Sequence, residues 1–499
     1  MPRDHPDNFR RVVVTVSLTA VILSLGAFLR SPTLYQSFWT NWVWADQFAD
    51  QLRAGVLYPR WLPLSHGGLG APVFYYYPPL SFYAAGLFGV AGLSTYHAVL
   101  AAFAFALWLS GIAMYQWLKG WTVHPLLASL FYMAAPYHLF DFYRRGALAE
   151  MMAIAFVPLV ALGMKRVSEG KSGTMAALSF AALILSHLPL ALLAVIFLIA
   201  PYALFLTKGR PTGLIRLAVP IVIGAGLPAI YLVPALMLEP YRDGAHLWEE
   251  AQLMPSSWGL FFTGAQVPAV FAHLILASCA ALMLGAAILA VKWRSIWALY
   301  AIACCVVVVG IIPGFWSLPL VRQVQFPFRA LPFMEFGLAT ALALVPRREY
   351  TGAIAVAPAL LLSVAFSGPH LEKRAPTVAF LARHHPDALE YLPRGVASID
   401  RNADWNLEML KGRSPAPVVP GRTIEPVFYF PAWRVTCQGQ EVLTFPDSKT
   451  QLLSYVGRNC EKQLGWTWSE KIGFAITFLN MLLLLFARSK SISSPFSAT

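Results

Sequence analysis

Long apolar runs broken by short polar stretches dominate the chain. They fall near residues 12–29, 79–93, 97–118, 124–139, 148–164, 174–186, 188–206, 214–236, 267–290, 296–313, 327–345, 351–367 and 471–487. A helix needs about 20 residues to cross a hydrocarbon core. The run 79–93 is shorter and reads as a re-entrant or juxtamembrane helix. The runs 174–186 and 188–206 read as a tight helical hairpin turning near His187, with Pro189 just beyond the turn. The remaining arithmetic gives twelve spans. One polar block, about 367–470, contains VFYFPAWRVTC and QEVLTFPDS, whose β-branched and aromatic residues broken by Pro and Gly suggest short strands. The expected fold class is therefore an all-α polytopic membrane protein of about 12 transmembrane helices, with a small β-rich domain before the last helix. The expected units are a membrane module 1–366, the β-rich domain 367–470, and a terminal span with its tail, 471–499.

Charge orients this arrangement. With 79–93 kept from crossing, Lys119, the cluster Lys165/Arg166/Lys171, Lys208/Arg210/Arg216, Lys292/Arg294, Arg347/Arg348 and Arg488/Lys490 all fall on one side. Basic residues between spans favour the cytoplasm, so that side is expected to be inside. Arg10 and Arg11 precede the first run, and no small-residue cleavage site follows it, so it reads as a first span entering from the cytoplasm. The composition agrees, at 58% hydrophobic and only 12% charged residues. A net charge of +13 is accounted for by those loop clusters, and nucleic acid is not an expected partner. Cys279, Cys304 and Cys305 lie inside apolar runs, which leaves Cys437 and Cys460 as the only plausible disulfide pair.

The opposite side collects the unusual residues. The stretch WADQFADQLRAGVLYPRWLPLSHGGLGAPVFYYYPPL (44–80) follows the first span closely and carries Asp46, Asp50, Arg60 and His66. Polar groups beside a bilayer are expensive unless they serve a wet cavity, which makes this loop a functional-site candidate. Asp46 and Asp50 are four residues apart and share one face of an amphipathic surface helix, suiting a general base with a second carboxylate to orient an acceptor. PYHLFDFYRRGALAE (136–150) supplies Asp141, Arg144, Arg145 and Glu150, and VRQVQFPFR (321–329) supplies Arg322 and Arg329. Outward arginines run against the usual charge bias, and guanidinium forks match phosphate oxygens. His187 joins the same side, as does the loop 239–266. His384 and His385 lack ligand spacing to other His or Cys residues, so no metal site is expected. Phosphate-loop, dinucleotide and nucleophile-elbow motifs are absent from the sequence.

The runs GVLYPRWLP, GGLGAPVFYYYPPLSFY, APYHLFDFYRRGALAE, LSHLPLALL and QFPFRAL resemble those of bacterial polytopic membrane proteins labelled "6-pyruvoyl-tetrahydropterin synthase-related". The likeness covers roughly 40–345. Nothing in the chain resembles the zinc histidines of a soluble pterin synthase. The family is similar to the GT-C glycosyltransferases, so the resemblance implies a GT-C-like fold in a bacterial inner membrane, with chemistry on the extracytoplasmic side. It further implies transfer of a sugar from a polyprenyl-phosphate donor to an envelope glycan, lipid or protein acceptor. The first-loop carboxylate, Asp46 or Asp50, would be the base. Arg60, His66, Asp141, Arg144, Arg145, Glu150, His187 and Arg329 would bind substrate. Several relatives carry an Asp followed by a His upstream in that loop, where this chain reads SFWTNWVW. No cofactor is implied; no DxD pair is present for a divalent metal, and arginines can neutralise a phosphate instead. A flippase for lipid-linked glycans and a non-catalytic envelope assembly protein are the rival readings.

Overall fold

The computed structural model describes residues 6–30, 34–244, 247, 269–312, 314–346, 349–368, 377–396 and 421–492. Most of the loop 239–266 expected on the outer face lies outside them. Helix α1 (Pro6–Phe28) is followed by α2 (Phe38–Arg53), two short turns, α3 (Leu80–Val90) and α4 (Thr95–Leu118). Phe28 stacks on His97 at 6.1 Å, while the Trp108 indole N–H donates to Ser17 at 3.1 Å. Those contacts make α1 and α4 antiparallel neighbours. The 29–94 stretch therefore leaves and re-enters one end of the bundle, and α3 does not cross it. Instead α3 lies on α2, where Gly89 permits the contact: a Cβ there would sit 2.9 Å from that of Ala49.

Pro136 and Gly146 break the next stretch into α5 (Pro125–Met133), α6 (Pro136–Phe140), a π turn (Asp141–Arg145), α7 (Leu148–Ile154) and α8 (Val157–Ser168). Next come α9 (Thr174–Ser186), α10 (Leu188–Ala194), a second π turn (Val195–Ile199) and α11 (Ala200–Thr207). His187 between α9 and α10 is extended (φ −156°, ψ 104°), and its Nδ1 accepts from the Leu190 amide at 3.3 Å. The expected hairpin turn is there. Helices α12 (Pro211–Gly226) and α13 (Ala229–Met237) meet at a 67° bend, followed by α14 (Ala269–Trp293), α15 (Ile296–Val308), α16 (Leu331–Ala343) and α17 (Thr351–Phe366).

Among the described residues six helices are long and apolar enough to cross a membrane, or seven if the bent pair is one span, against the twelve expected. The difference has a local cause. Pro and Gly interrupt several apolar runs, and four apolar helices, including α9, α15 and α17, are only 10–17 residues long. The charge pattern is realised in space. Lys165 lies 4.6 Å over the Trp121 ring, Trp121 packs on Trp297, and Val123 and His124 donate to the Ala343 carbonyl. The ends of α4, α8 and α16 and the start of α15 thus gather at one basic end.

Helix α18 (Val378–His384) precedes six strands: β1 (Arg422–Phe428), β2 (Trp433–Cys437), β3 (Gln440–Val442), β4 (Thr444–Pro446), β5 (Leu452–Val456) and β6 (Cys460–Leu464). They form two antiparallel three-stranded sheets, ordered β1-β5-β4 and β3-β2-β6. Cys437 faces Cys460 across β2–β6 and the two are disulfide-bonded. Phe428, Phe430 and Trp433 share a buried cluster with Trp61, Leu69 and Tyr75, so the sheets rest on the loop after α2. The last helix, α19, runs from Trp468 to Ile492.

Candidate functional site

Two arginines distant in sequence meet at the end of the bundle opposite the basic loops. Arg145 closes the π turn, and Gly146 follows at φ +61°, where a Cβ would lie 2.9 Å from the Phe38 amide nitrogen. Only glycine fits that left-handed, crowded position. The turn aims Arg145 inward, where its Nη1 donates to Asp141 Oδ1 (2.6 Å), Glu150 Oε2 (2.7 Å) and the Tyr137 hydroxyl (3.0 Å). Glu150 also accepts from the Tyr137 hydroxyl at 2.6 Å and from Arg329 Nε at 3.2 Å. Arg329 Nη1 donates to the Val324 carbonyl (2.6 Å) and Gln325 Oε1 (3.2 Å). Both guanidiniums lie over phenylalanine rings: Arg145 over Phe328 at 5.2 Å and Arg329 over Phe326 at 4.7 Å.

This cluster is dry. Asp141 is 0% exposed, Glu150 1%, Arg145 3% and Arg329 9%. Burial pushes the Asp141 carboxyl well above its ordinary range, the Glu150 charge adds to that, and Arg145 opposes it. Two guanidiniums and two carboxylates thus share one desolvated cluster. Among the described residues Arg329 Nη2 meets no acceptor and Arg145 Nε is buried without one, and Arg329 keeps the largest exposure of the four. His187, at the α9–α10 turn, is buried within electrostatic reach of Glu150, Arg329 and Arg145.

Tyr77 links the cluster to the loop. Burial raises its hydroxyl to about 12, and the charges of Arg329, Glu150 and Arg145 reach it together with that of Glu390. Its ring packs against Trp44 at 4.8 Å, and Trp44 packs against Tyr391 at 5.7 Å. The Trp44 indole N–H donates to Asp387 Oδ1 at 2.7 Å, which also accepts from the Ala388 amide. Asp387 is 1% exposed, and burial lifts its carboxyl to about 7.

The other sequence candidates are placed elsewhere. Helix α2 is not a surface helix, because most of it is buried, with Trp44 and Phe48 on Phe74 and Phe82. Asn41 Nδ2 donates to the Gly146 carbonyl at 2.5 Å and ties α2 to the π turn. Asp46 stands five residues further on, about 7.5 Å along the axis. It is half-buried and accepts from the Thr95 hydroxyl. Asp50 is exposed and pairs with Arg53 at 2.6 Å, outside the cluster. Arg144 points away from Arg145: its Nη2 donates to the Ala365 carbonyl at 3.0 Å, beside Arg30, which bonds the Ser367 and Gly368 carbonyls. Both cations therefore cap the end of α17, a favourable use of positive charge at a helix C-terminus. Arg60 is ion-paired with Glu470 at the start of α19 and lies over Tyr75 and Trp466. His66 is buried against Phe428, its backbone amide donating to the His385 carbonyl at 2.9 Å, and burial lowers its imidazole to about 3. Among the described residues no three His, Cys, Asp or Glu side chains gather as a metal site.

Sequence reasoning missed Tyr137, Tyr77, Gln325 and Asp387. Tyr137 had a usable signal, since it lies eight residues before Arg145, two turns along one helical path. Asp387 had none.

No family model and no curated protein matches the chain, so the family label suggested by the motifs is not shown. Among solved structures, the mycobacterial arabinofuranosyltransferase AftD superposes with a TM-score of 0.47 at 18% identity, covering 72% of this chain and 26% of that one. The oligosaccharyltransferase AglB from Archaeoglobus fulgidus, solved with an inhibitory peptide and a dolichol-phosphate, gives 0.42 at 13% identity, covering 74% and 57%. The chain thus spans about a quarter of the AftD chain.

Proposed function

We propose that this chain is an integral-membrane, GT-C-like glycosyltransferase. It takes a sugar from a polyprenyl-phosphate donor and passes it to an envelope glycan, lipid or protein acceptor on the extracytoplasmic side. The observation that carries this reading is the buried Arg145–Glu150–Arg329 cluster, in which both guanidiniums keep N–H groups without acceptors, at the end opposite the basic loops. Guanidinium donors without acceptors at that end favour an anionic headgroup, and the motif resemblance supplies the donor class.

In this reading Arg329 Nη2, with Arg145 behind it, receives the phosphate oxygens of the leaving group. Charge-assisted bonds in a water-poor site stabilise the negative charge that grows as the glycosidic bond breaks. Tyr77 stays protonated and lends a hydroxyl donor beside them. Asp46 acts as the base on the acceptor hydroxyl, in a single inverting displacement. Arg144 and Arg60 hold the scaffold around the pocket.

The test is binding and turnover in the purified full-length protein. Arg329→Ala is expected to weaken binding of a polyprenyl phosphate by about tenfold or more, since losing a charge-assisted contact costs about 2 kcal/mol. Asp46→Asn is expected to abolish transfer while leaving that binding intact. Unchanged affinity in Arg329→Ala would overturn the phosphate role, and full activity in Asp46→Asn would remove Asp46 as base.

A further inference from the structure

At the basic end, helices α11 and α15 enclose a cavity of about 160 Å³ lined by Leu198, Pro201, Phe205, Ile296, Trp297 and Tyr300. Its origin is local. The π turn Val195–Ile199 widens the helix just before Pro201, which has no N–H to continue the ladder. The wall opposite is firm, because Trp297 is packed edge-on against Trp117 at 5.6 Å and Phe336 at 5.8 Å. The mouth is open and apolar: Phe205 is 57% exposed and Ile296 56%. The volume matches a cavity able to take a benzene-sized group, or roughly six carbons of a chain.

Charge decides what fills it. Of the cations at this end, Lys165 and Lys171 pair with Glu169, and Lys292 pairs with Glu349. Lys208, Arg210 and Arg294 are exposed and have no acidic partner among the described residues. Lys208 lies one turn after Phe205, just past the end of α11, and Arg294 lies two residues before Ile296, just ahead of α15. Each lining helix thus ends in an unpaired cation beside the cavity. We infer that this groove is a binding site for one anionic glycerophospholipid, its acyl chain against Trp297 and Phe205 and its phosphate near Lys208 and Arg294. Basic pockets between membrane helices on the positive side are suited to acidic headgroups.

The inference is independent of the glycosyltransferase reading and is tested without turnover. The full-length protein, stripped in detergent, is titrated with dioleoylphosphatidylglycerol or dioleoylphosphatidylcholine, and retained lipid is counted by native mass spectrometry. One phosphatidylglycerol should be retained with at least about tenfold preference. Lys208→Gln/Arg294→Gln should bring that preference close to one. Ile296→Trp, filling the groove from its exposed lip, should reduce retention of both lipids. Arg458→Gln, on the β domain, should change neither. Equal retention of the two lipids by the unaltered protein, or a preference that survives the double substitution, would overturn the site.

Discussion

Replacing Glu150 by Ala removes the one carboxylate shared by Arg145, Arg329 and the Tyr137 hydroxyl. The groups left behind are buried, so water does not replace the lost partner. Breaking a buried ion pair from one side costs about 3–5 kcal/mol, because an uncompensated charge remains. In a chain of this length each kcal/mol moves the melting midpoint by about 1–2 °C, so a fall of about 5 °C is expected. Glu441→Ala is the control. Glu441 is 63% exposed and lies 3.4 Å from Arg434, a surface pair worth about 0–1 kcal/mol. Glu150→Gln keeps an acceptor for Tyr137 and should fall between the two. The double variant Glu150→Gln/Arg329→Gln should recover part of the loss, because the stranded charge leaves with its partner. Melting is followed by tryptophan fluorescence in one detergent and one buffer. If Glu150→Ala melts no lower than Glu441→Ala, the cluster is not the buried, charge-coupled unit argued above.

Three further outcomes follow from individual contacts. Asp387, raised to about 7, holds a proton in the folded state that the unfolded chain releases near 3.8, so stability should fall as pH rises from about 4 to 7 and then level off. Asp387→Asn should flatten that slope, as read by melting across the pH series. Glu470→Ala removes the partner of Arg60 and should speed hydrogen exchange around residues 58–62 while leaving the α1–α4 contact protected, as measured by exchange mass spectrometry. Arg144→Ala loses a carbonyl contact at the end of α17 and should cost only about 1 kcal/mol of stability, with donor affinity changed far less than in Arg329→Ala.

How much of this was legible in sequence depends on the range of the interaction. The non-crossing run 79–93, the turn at His187, the short strands and the Cys437–Cys460 bond are set by local length, Pro placement and elimination, and the sequence displays those directly. Twelve spans were expected because apolar length was counted without regard to breaks. Pro136 divides the run 124–139, a 67° bend divides 214–236, and the helices in 174–186, 296–313 and 351–367 are each under 18 residues long. Glu150 was recognised as a partner for either arginine, but its choice of Arg145 over Arg144 was not readable. Successive residues of a π turn point in different directions, and which one faces inward depends on Phe38 packing against Gly146.

The loop after the first span shows the same limit from the other side. Its charged residues looked like one site because they are close in sequence. In space they serve three tasks. Arg60 and His66 bind the loop to α19 and to the β domain, Asp50 is a solvated partner of Arg53, and Asp46 is half-buried against the Thr95 hydroxyl. Other residues at the cluster come from segments with no charge signal of their own, such as Tyr77 and Gln325. A buried cluster of guanidiniums is costly to fold, since each desolvated charge must be matched. That cost is met here by Glu150 and Asp141, by Phe326 and Phe328, and by the Val324 carbonyl, yet it leaves Arg145 Nε and Arg329 Nη2 without acceptors. A purely structural ion pair gains nothing from that incompleteness. An anion-binding site requires it, and Arg329, the more exposed of the two arginines at 9% against 3% for Arg145, is the residue whose removal most directly tests the proposed function.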